Sequence, residues 1–337
     1  MKPEMSHRKL NILIFAIAAS VCIISCKKDD ETKVTPSLSG ALSFNIAVPE
    51  YVLPNTTITL IPSGVKHPKG DSLGYYWKVN PTKPKADTTR YENGLDKNGK
   101  PSDGSFTFTF TDTLQTCTIS GYAYAKGYSY SSKTIQSTVV KGGIDGSITN
   151  LGLTLIANNQ KITVDGIVYP YVTVAGLDWL CRNIADTSAG EPYNNCDAMS
   201  DVFGRYYSYE EAKTICPEGW RLPTDADWLA AAEAYENNMA ALMGNAYFND
   251  KLMWEYWPAV GDITNESGLS MIPVGYAMFS SNTLFKGLNE YAAFWTADAV
   301  EEENGMAYYR YVICGQNELL KGKGDKNTFG ANVRCVR

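Results

Sequence analysis

The sequence predicts two domains, an all-β sandwich followed by an α+β domain. Three observations carry this. At 337 residues the chain exceeds what one ordinary core organises. Between Leu38 and Val140 apolar residues alternate with a period of two, and no helical period interrupts them. Beyond residue 162 two helix-capping boxes, at Ser208 and Thr224, precede a long stretch rich in Gly, Ser, Asn and aromatics. A composition of 44% hydrophobic and 20% charged residues is that of folded material.

The N-terminus reads as an export signal. Residues 1–9 carry Lys2, Arg8 and Lys9, and Leu10 to Ile24 is almost wholly apolar. A run of about fifteen residues suits a signal-peptide core and falls short of the roughly twenty needed to span a membrane. Ile23-Ile24-Ser25-Cys26 resembles a bacterial lipobox, in which the cysteine is acylated and becomes the new N-terminus. The expectation is a signal over 1–25, a lipidated tether over 26–37 and an anchor through Cys26. Two acyl chains hold firmly, because each buried methylene contributes about 0.8 kcal/mol. Lys27-Lys28-Asp29-Asp30-Glu31 resembles the export signal of Bacteroidetes surface lipoproteins, which implies the outer membrane and its cell-surface face.

Residues 38–141 form the expected sandwich. Val52 to Leu60 alternates around a turn, Tyr75 to Val79 is a strand, and Ser105 to Thr111 alternates Phe with Thr. Cys117 to Tyr128 and Lys133 to Val140 complete the set, with Cys117 a buried free thiol. The Asn80–Pro101 segment, polar and rich in Pro, Lys and Asp, reads as a solvated loop. The order of an Asn-Thr-Thr-Ile-Thr-Leu strand, a Tyr-Trp strand and a Tyr-Ala-rich strand resembles Ig-like and PKD-like modules. That resemblance implies a spacer with Trp77 at its core. Residues 142–161 read as a turn-rich linker with one strand, Leu151 to Ile156.

In the last segment, 162–337, Ser208-Tyr209-Glu210-Glu211 starts a short helix that must stop at Pro217. Thr224-Asp225-Ala226-Asp227 starts a second, whose apolar stripe of Trp228, Ala232, Tyr235, Met239 and Leu242 predicts an end near Gly244. The strings Phe203-Gly204-Arg205-Tyr206-Tyr207, Cys216-Pro217-Glu218-Gly219-Trp220-Arg221-Leu222-Pro223-Thr224, Pro273-Val274-Gly275-Tyr276, Phe294-Trp295-Thr296 and Val333-Arg334-Cys335-Val336-Arg337 occur in order. Together they resemble the Fibrobacter succinogenes major paralogous domain. The resemblance implies a C-type lectin-like fold in its formylglycine-generating-enzyme variant, with a disulfide Cys216–Cys335. A second pairing, Cys181 with Cys196, is open, and Cys314 competes for either partner. Trp220, Leu222, Pro223, Trp228 and Trp295 read as core, and Arg221 and Arg334 as donors to buried acceptors.

Function is narrowed chiefly by exclusion. The two histidines, His7 and His67, leave residues 68–337 without a Ser/His/Asp triad, a Cys/His dyad or a His-ligated metal. A net charge of −6 with no basic stripe argues against nucleic acid. No Cys-x-x-Cys occurs, which disfavours zinc and thioredoxin-like redox roles. Formylglycine generation uses a closely spaced cysteine pair, whereas Cys314 and Cys335 lie far apart. The expectation is a non-catalytic head, without a cofactor, that binds a glycan or protein ligand, as in adhesion; the alternative is a structural envelope component. Trp254, Glu255, Tyr256 and Trp257 are candidate ligand residues, since rings beside acceptors suit sugars and protein hot spots. A loop tucked onto the core explains the same residues equally well. Asp298, Glu301, Glu302 and Glu303 offer hard oxygens as a calcium alternative.

Overall fold

The computed structural model describes residues 34–80, 90–91, 95, 98–100, 102–111, 116–140, 160–248, 251–254 and 262–337. The described chain is mostly β. The expected signal, Cys26, the tether up to residue 33 and the Leu151–Ile156 strand lie outside the described residues.

The first region is built from β1 (Ser43–Phe44), β2 (Tyr51–Val52), β3 (Thr57–Leu60), β4 (Pro62–Ser63), β5 (Gly74–Asn80), β6 (Arg90–Tyr91), β7 (Phe106–Thr109), β8 (Thr116–Tyr124) and β9 (Ser131–Val139). A five-stranded sheet runs β2-β9-β8-β5-β6, with β2 parallel to β9 and the other pairs antiparallel. β3 pairs with β7, and β1 with β4. Alternation along β8 buries Cys117, Ile119 and Ala123 and leaves Thr118, Ser120, Tyr122 and Tyr124 half-buried on the outer side. Ile58, Leu60, Phe106 and Phe110 pack with Trp77, Val79 and Ile119 in one cluster, so the β3-β7 pair closes over the larger sheet. Trp77 is 1% exposed, and its Nε1 donates to Gly104 O at 3.0 Å. A Cβ at Gly121, directly across the ladder, would lie 2.7 Å from the Trp77 ring, so only glycine leaves room for the indole. The expected 80–101 loop contains a strand after all: β6 extends the sheet edge beside β5.

The second region begins with β10 (Lys161–Val164), β11 (Ile167–Val174) and β12 (Leu177–Leu180), a meander. β13 (Glu191–Pro192), α1 (Ser200–Phe203), β14 (Arg205–Tyr206), α2 (Tyr209–Ala212) and α3 (Asp225–Glu233) follow. β15 (Tyr247–Phe248) pairs with β16 (Lys251–Leu252). β17 (Tyr276–Met278), β18 (Leu284–Lys286), β19 (Tyr291–Ala299), β20 (Met306–Ile313), β21 (Leu320–Asp325) and β22 (Phe329–Gly330) form two three-stranded sheets, β18-β17-β22 and β19-β20-β21.

Both capping boxes form, with Ser208 and Glu211 at α2 and Thr224 and Asp227 at α3 exchanging hydrogen bonds. α3, however, stops at Glu233 rather than near Gly244. Glu236 and Asn237 adopt positive φ, and Asn238 restarts the chain by accepting the Ala240 N–H onto its side chain in a 3-10 turn over Met239–Ala241. Met239 and Leu242 are buried all the same, so the apolar spacing outlives the helix that suggested it. Arg310 of β20 grips Asp225 at the start of α3 with two hydrogen bonds of 2.7 and 3.0 Å.

The two regions meet at Tyr51. Its ring lies 6.2 Å from that of Tyr193 and 6.1 Å from that of Phe248, and Asn194 Nδ2 donates to Glu50 Oε2 at 3.0 Å. Val140, fully buried, joins the core of the second region.

Candidate functional site

The cysteines take structural places. Cys216, just after α2, is bridged to Cys335, 119 residues later. Cys181 and Cys196 are not paired. Both are buried free thiols, and each sulfur turns to the carbonyl two residues before it, Trp179 O and Asn194 O. Burial pushes the Cys181 thiol up to about 12 and that of Cys117 up to about 11, so neither is a thiolate at neutral pH. Cys314 is free and half-buried.

Of the candidate ligand residues, Glu255, Tyr256 and Trp257 lie outside the described residues. Trp254 is a core residue, 1% exposed, packed in the cluster that holds Met253, Leu269 and Met271, with its Nε1 donating to Met271 O at 3.3 Å. A ring held by the interior at both its apolar and polar ends cannot present a face to a ligand. Nor do the four proposed calcium carboxylates converge. Asp298 accepts the Asp225 N–H at 2.6 Å at the start of α3, Glu303 pairs with Lys323, and Glu301 and Glu302 are exposed. Among the described residues no group of three or more His, Cys, Asp or Glu gathers as a metal site.

Arg334 explains much of the C-terminal string. It is 1% exposed and donates to Asn183 Oδ1, Leu180 O, Leu269 O and Ser270 O at 2.7 to 3.0 Å. Burial pulls the guanidinium down to about 9, still above neutral, and every acceptor favours the charged form. Arg221, by contrast, is half exposed and pairs with Asp227 at 2.6 Å.

On the closing strands of the second region five rings form a circuit. Tyr276 contacts Tyr291 at 5.7 Å, Tyr291 contacts Tyr311 at 6.0 Å, and Tyr311 contacts Tyr309 at 5.4 Å. Tyr309 stacks on Phe329 at 4.5 Å, and Phe329 returns to Tyr276 at 5.4 Å. All four tyrosines are half-buried. β21 makes this possible, because its Gly322 and Gly324 face the rings of Tyr309 and Phe329, where a Cβ would come within 2.3 and 2.6 Å. Burial, reinforced by the neighbouring phenols, pushes Tyr309 up to about 12 and raises Tyr291. At neutral pH both therefore keep their protons and can donate as well as accept. On the other face Lys321 lies 3.7 Å over the Tyr308 ring and bonds Asp225 at 3.0 Å.

The sequence held the signal for this circuit in Gly322-x-Gly324 and in the alternation of Tyr309 with Tyr311, but only cross-strand register brings them together. No curated protein matches the chain. Residues 172–337, which hold the Cys216–Cys335 bridge, the Arg334 cage and the tyrosine circuit, match the family model of the Fibrobacter succinogenes major domain, and it is in this stretch that the chain is similar to that family.

Proposed function

We propose that the protein is a non-catalytic outer-membrane lipoprotein, anchored through acylated Cys26 at the cell surface, in which an Ig-like sandwich carries a C-type lectin-like head. The head binds an extracellular glycan or protein ligand. The observation that carries this reading is the half-buried circuit of Tyr276, Tyr291, Tyr309 and Tyr311 around Phe329. Tyrosine combines an apolar ring with a hydroxyl and loses little entropy on binding, the qualities of interface hot spots and of sugar platforms. An enzymatic reading through cysteine has little support, because Cys335 is bridged and the Cys181 thiol is buried and protonated.

The test is a glycan array and a pull-down from surface extracts with residues 27–337, beside the Tyr311→Ala variant. Capture that weakens in the variant while its thermal midpoint holds supports the reading. Empty results in both assays favour a structural envelope component instead. Protease shaving of intact cells, compared with cells producing Cys26→Ala, tests anchoring and exposure.

A further inference from the structure

The sandwich carries a second aromatic surface, and beside it a cavity. It is an open cleft of about 690 Å³, lined by His67, Asp71, Ser72, Gly74, Tyr124 and Lys126, among others. Pockets of roughly 300–1,000 Å³ hold small ligands. Its wall is built rather than incidental. The His67 side chain is 5% exposed, its ring stands edge-on to Tyr128 at 4.6 Å, and its Nδ1 accepts the Lys69 N–H at 3.1 Å. With Nδ1 occupied as an acceptor, the donor of that ring is Nε2–H. Tyr124 lies flat across the strand opposite it, because Gly74 is its ladder partner and a Cβ there would sit 2.4 Å from the ring.

From Tyr124 the rings continue outward. Tyr76 follows at 5.9 Å, Tyr122 stacks on Tyr76 at 4.4 Å with planes 2° apart, and Tyr130, 61% exposed, stands at 5.4 Å from Tyr122. The Lys78 ammonium lies 5.9 and 5.4 Å from the Tyr76 and Tyr122 centroids.

We propose that this cavity and its row of rings form a binding site for a neutral oligosaccharide, in the region otherwise read as a spacer. A sugar ring has an apolar C–H face and a rim of hydroxyls that both donate and accept. Tyr124 offers the flat apolar surface, His67 and Lys126 offer donors, Asp71 an acceptor and Ser72 either. Among the lining residues Lys126 and the 73% exposed Asp71 offset each other, so the site carries no net charge to draw an anion such as phosphate. Farther along, Tyr130, 61% exposed, gives a further sugar unit a ring to stack on, whereas Tyr76 and Tyr122 already stack on each other.

The full-length protein in detergent micelles is titrated calorimetrically with neutral gluco-, manno- and xylo-hexasaccharides and, separately, with inorganic phosphate. Binding of a hexasaccharide is expected, weakened about tenfold by Asp71→Ala and by Tyr130→Ala, each of which removes one exposed contact. Tyr311→Ala, in the head, leaves it unchanged. No binding of any hexasaccharide, binding that survives both sandwich variants, binding lost only with Tyr311→Ala, or preferential binding of phosphate each overturns the proposal. Because the two surfaces are mutated separately, this site and the head's ligand site fail independently.

Discussion

Tyr309 faces Gly322 across the β20–β21 ladder, and a Cβ at position 322 would lie 2.3 Å from the tyrosine's Cζ. The ring has nowhere to retreat, since Phe329 stacks on it at 4.5 Å and Trp295 stands edge-on at 6.3 Å. Relieving a strand glycine of its entropy gains about 0.5–1 kcal/mol, while forcing an extra methyl into packed surroundings costs about 1–3 kcal/mol. Gly322→Ala is therefore expected to destabilise. Adding Tyr309→Ala should make the two losses less than additive in urea unfolding; strict additivity would contradict the contact.

Arg334→Met retains apolar volume but strands four buried acceptors, each costing about 1–3 kcal/mol when unpaired. A loss of at least about 3 kcal/mol is expected, read as a lower urea midpoint at unchanged slope. Arg334→Lys should recover only part of it, because one ammonium cannot reach acceptors on both sides of a planar fork.

Reducing Cys216–Cys335 opens a loop of 119 residues, which costs about 5 kcal/mol in the chain-entropy account. Before reduction, alkylation of native protein lacking the lipid anchor should mark Cys314 first. Cys117, Cys181 and Cys196 should react only on unfolding. Early labelling of Cys181 would show that its packing is wrong.

Alkaline pH should weaken the fold. Below the ordinary tyrosine value of 10.0 the rings are protonated whether folded or not. Between 10.0 and about 12 the folded protein keeps the Tyr309 proton that the unfolded chain has released, so stability falls as pH rises. Tyr206 and Tyr207, raised mainly by burial, extend the loss. Arg334, held below the ordinary guanidinium range by burial, acts in the opposite sense above about 9, but as one group against several. A urea midpoint that stays level above pH 10 would refute this.

Tyr51→Ala removes the ring that sits between Tyr193 and Phe248. Val140 and the Glu50–Asn194 hydrogen bond still link the regions, but the rest of the two cores is separate, so one calorimetric transition is expected to resolve into two. A single transition merely moved to lower temperature would mean that Tyr51 supports one core rather than the junction.

What could be read from the sequence was what depends on neighbours along the chain. The capping boxes at Ser208 and Thr224 and the alternation of β8 needed only local spacing. The bridge Cys216–Cys335 needed the resemblance, since six cysteines remain after Cys22 and Cys26 and spacing cannot choose among them. Depth was not legible. Trp254 opens a run of three aromatics and one carboxylate, Trp254 to Trp257, and that composition suits a surface loop and a core plug alike. The end of α3 was hidden because Met239 and Leu242 are buried from a 3-10 turn at positions that continue the helical spacing. Both tyrosine surfaces depend on register, Gly74 with Tyr124 and Gly322 with Tyr309, and a one-residue slip would send those rings to the opposite face.

Val333, Arg334, Cys335 and Val336 are at most 1% exposed, and the Arg337 backbone exchanges hydrogen bonds with Asp178. The core of the first region is complete with Val139, whereas without residues 333–336 the second region lacks its innermost layer, its buried arginine and one half of its bridge. Loss of a handful of C-terminal residues would therefore leave one core whole and empty the centre of the other.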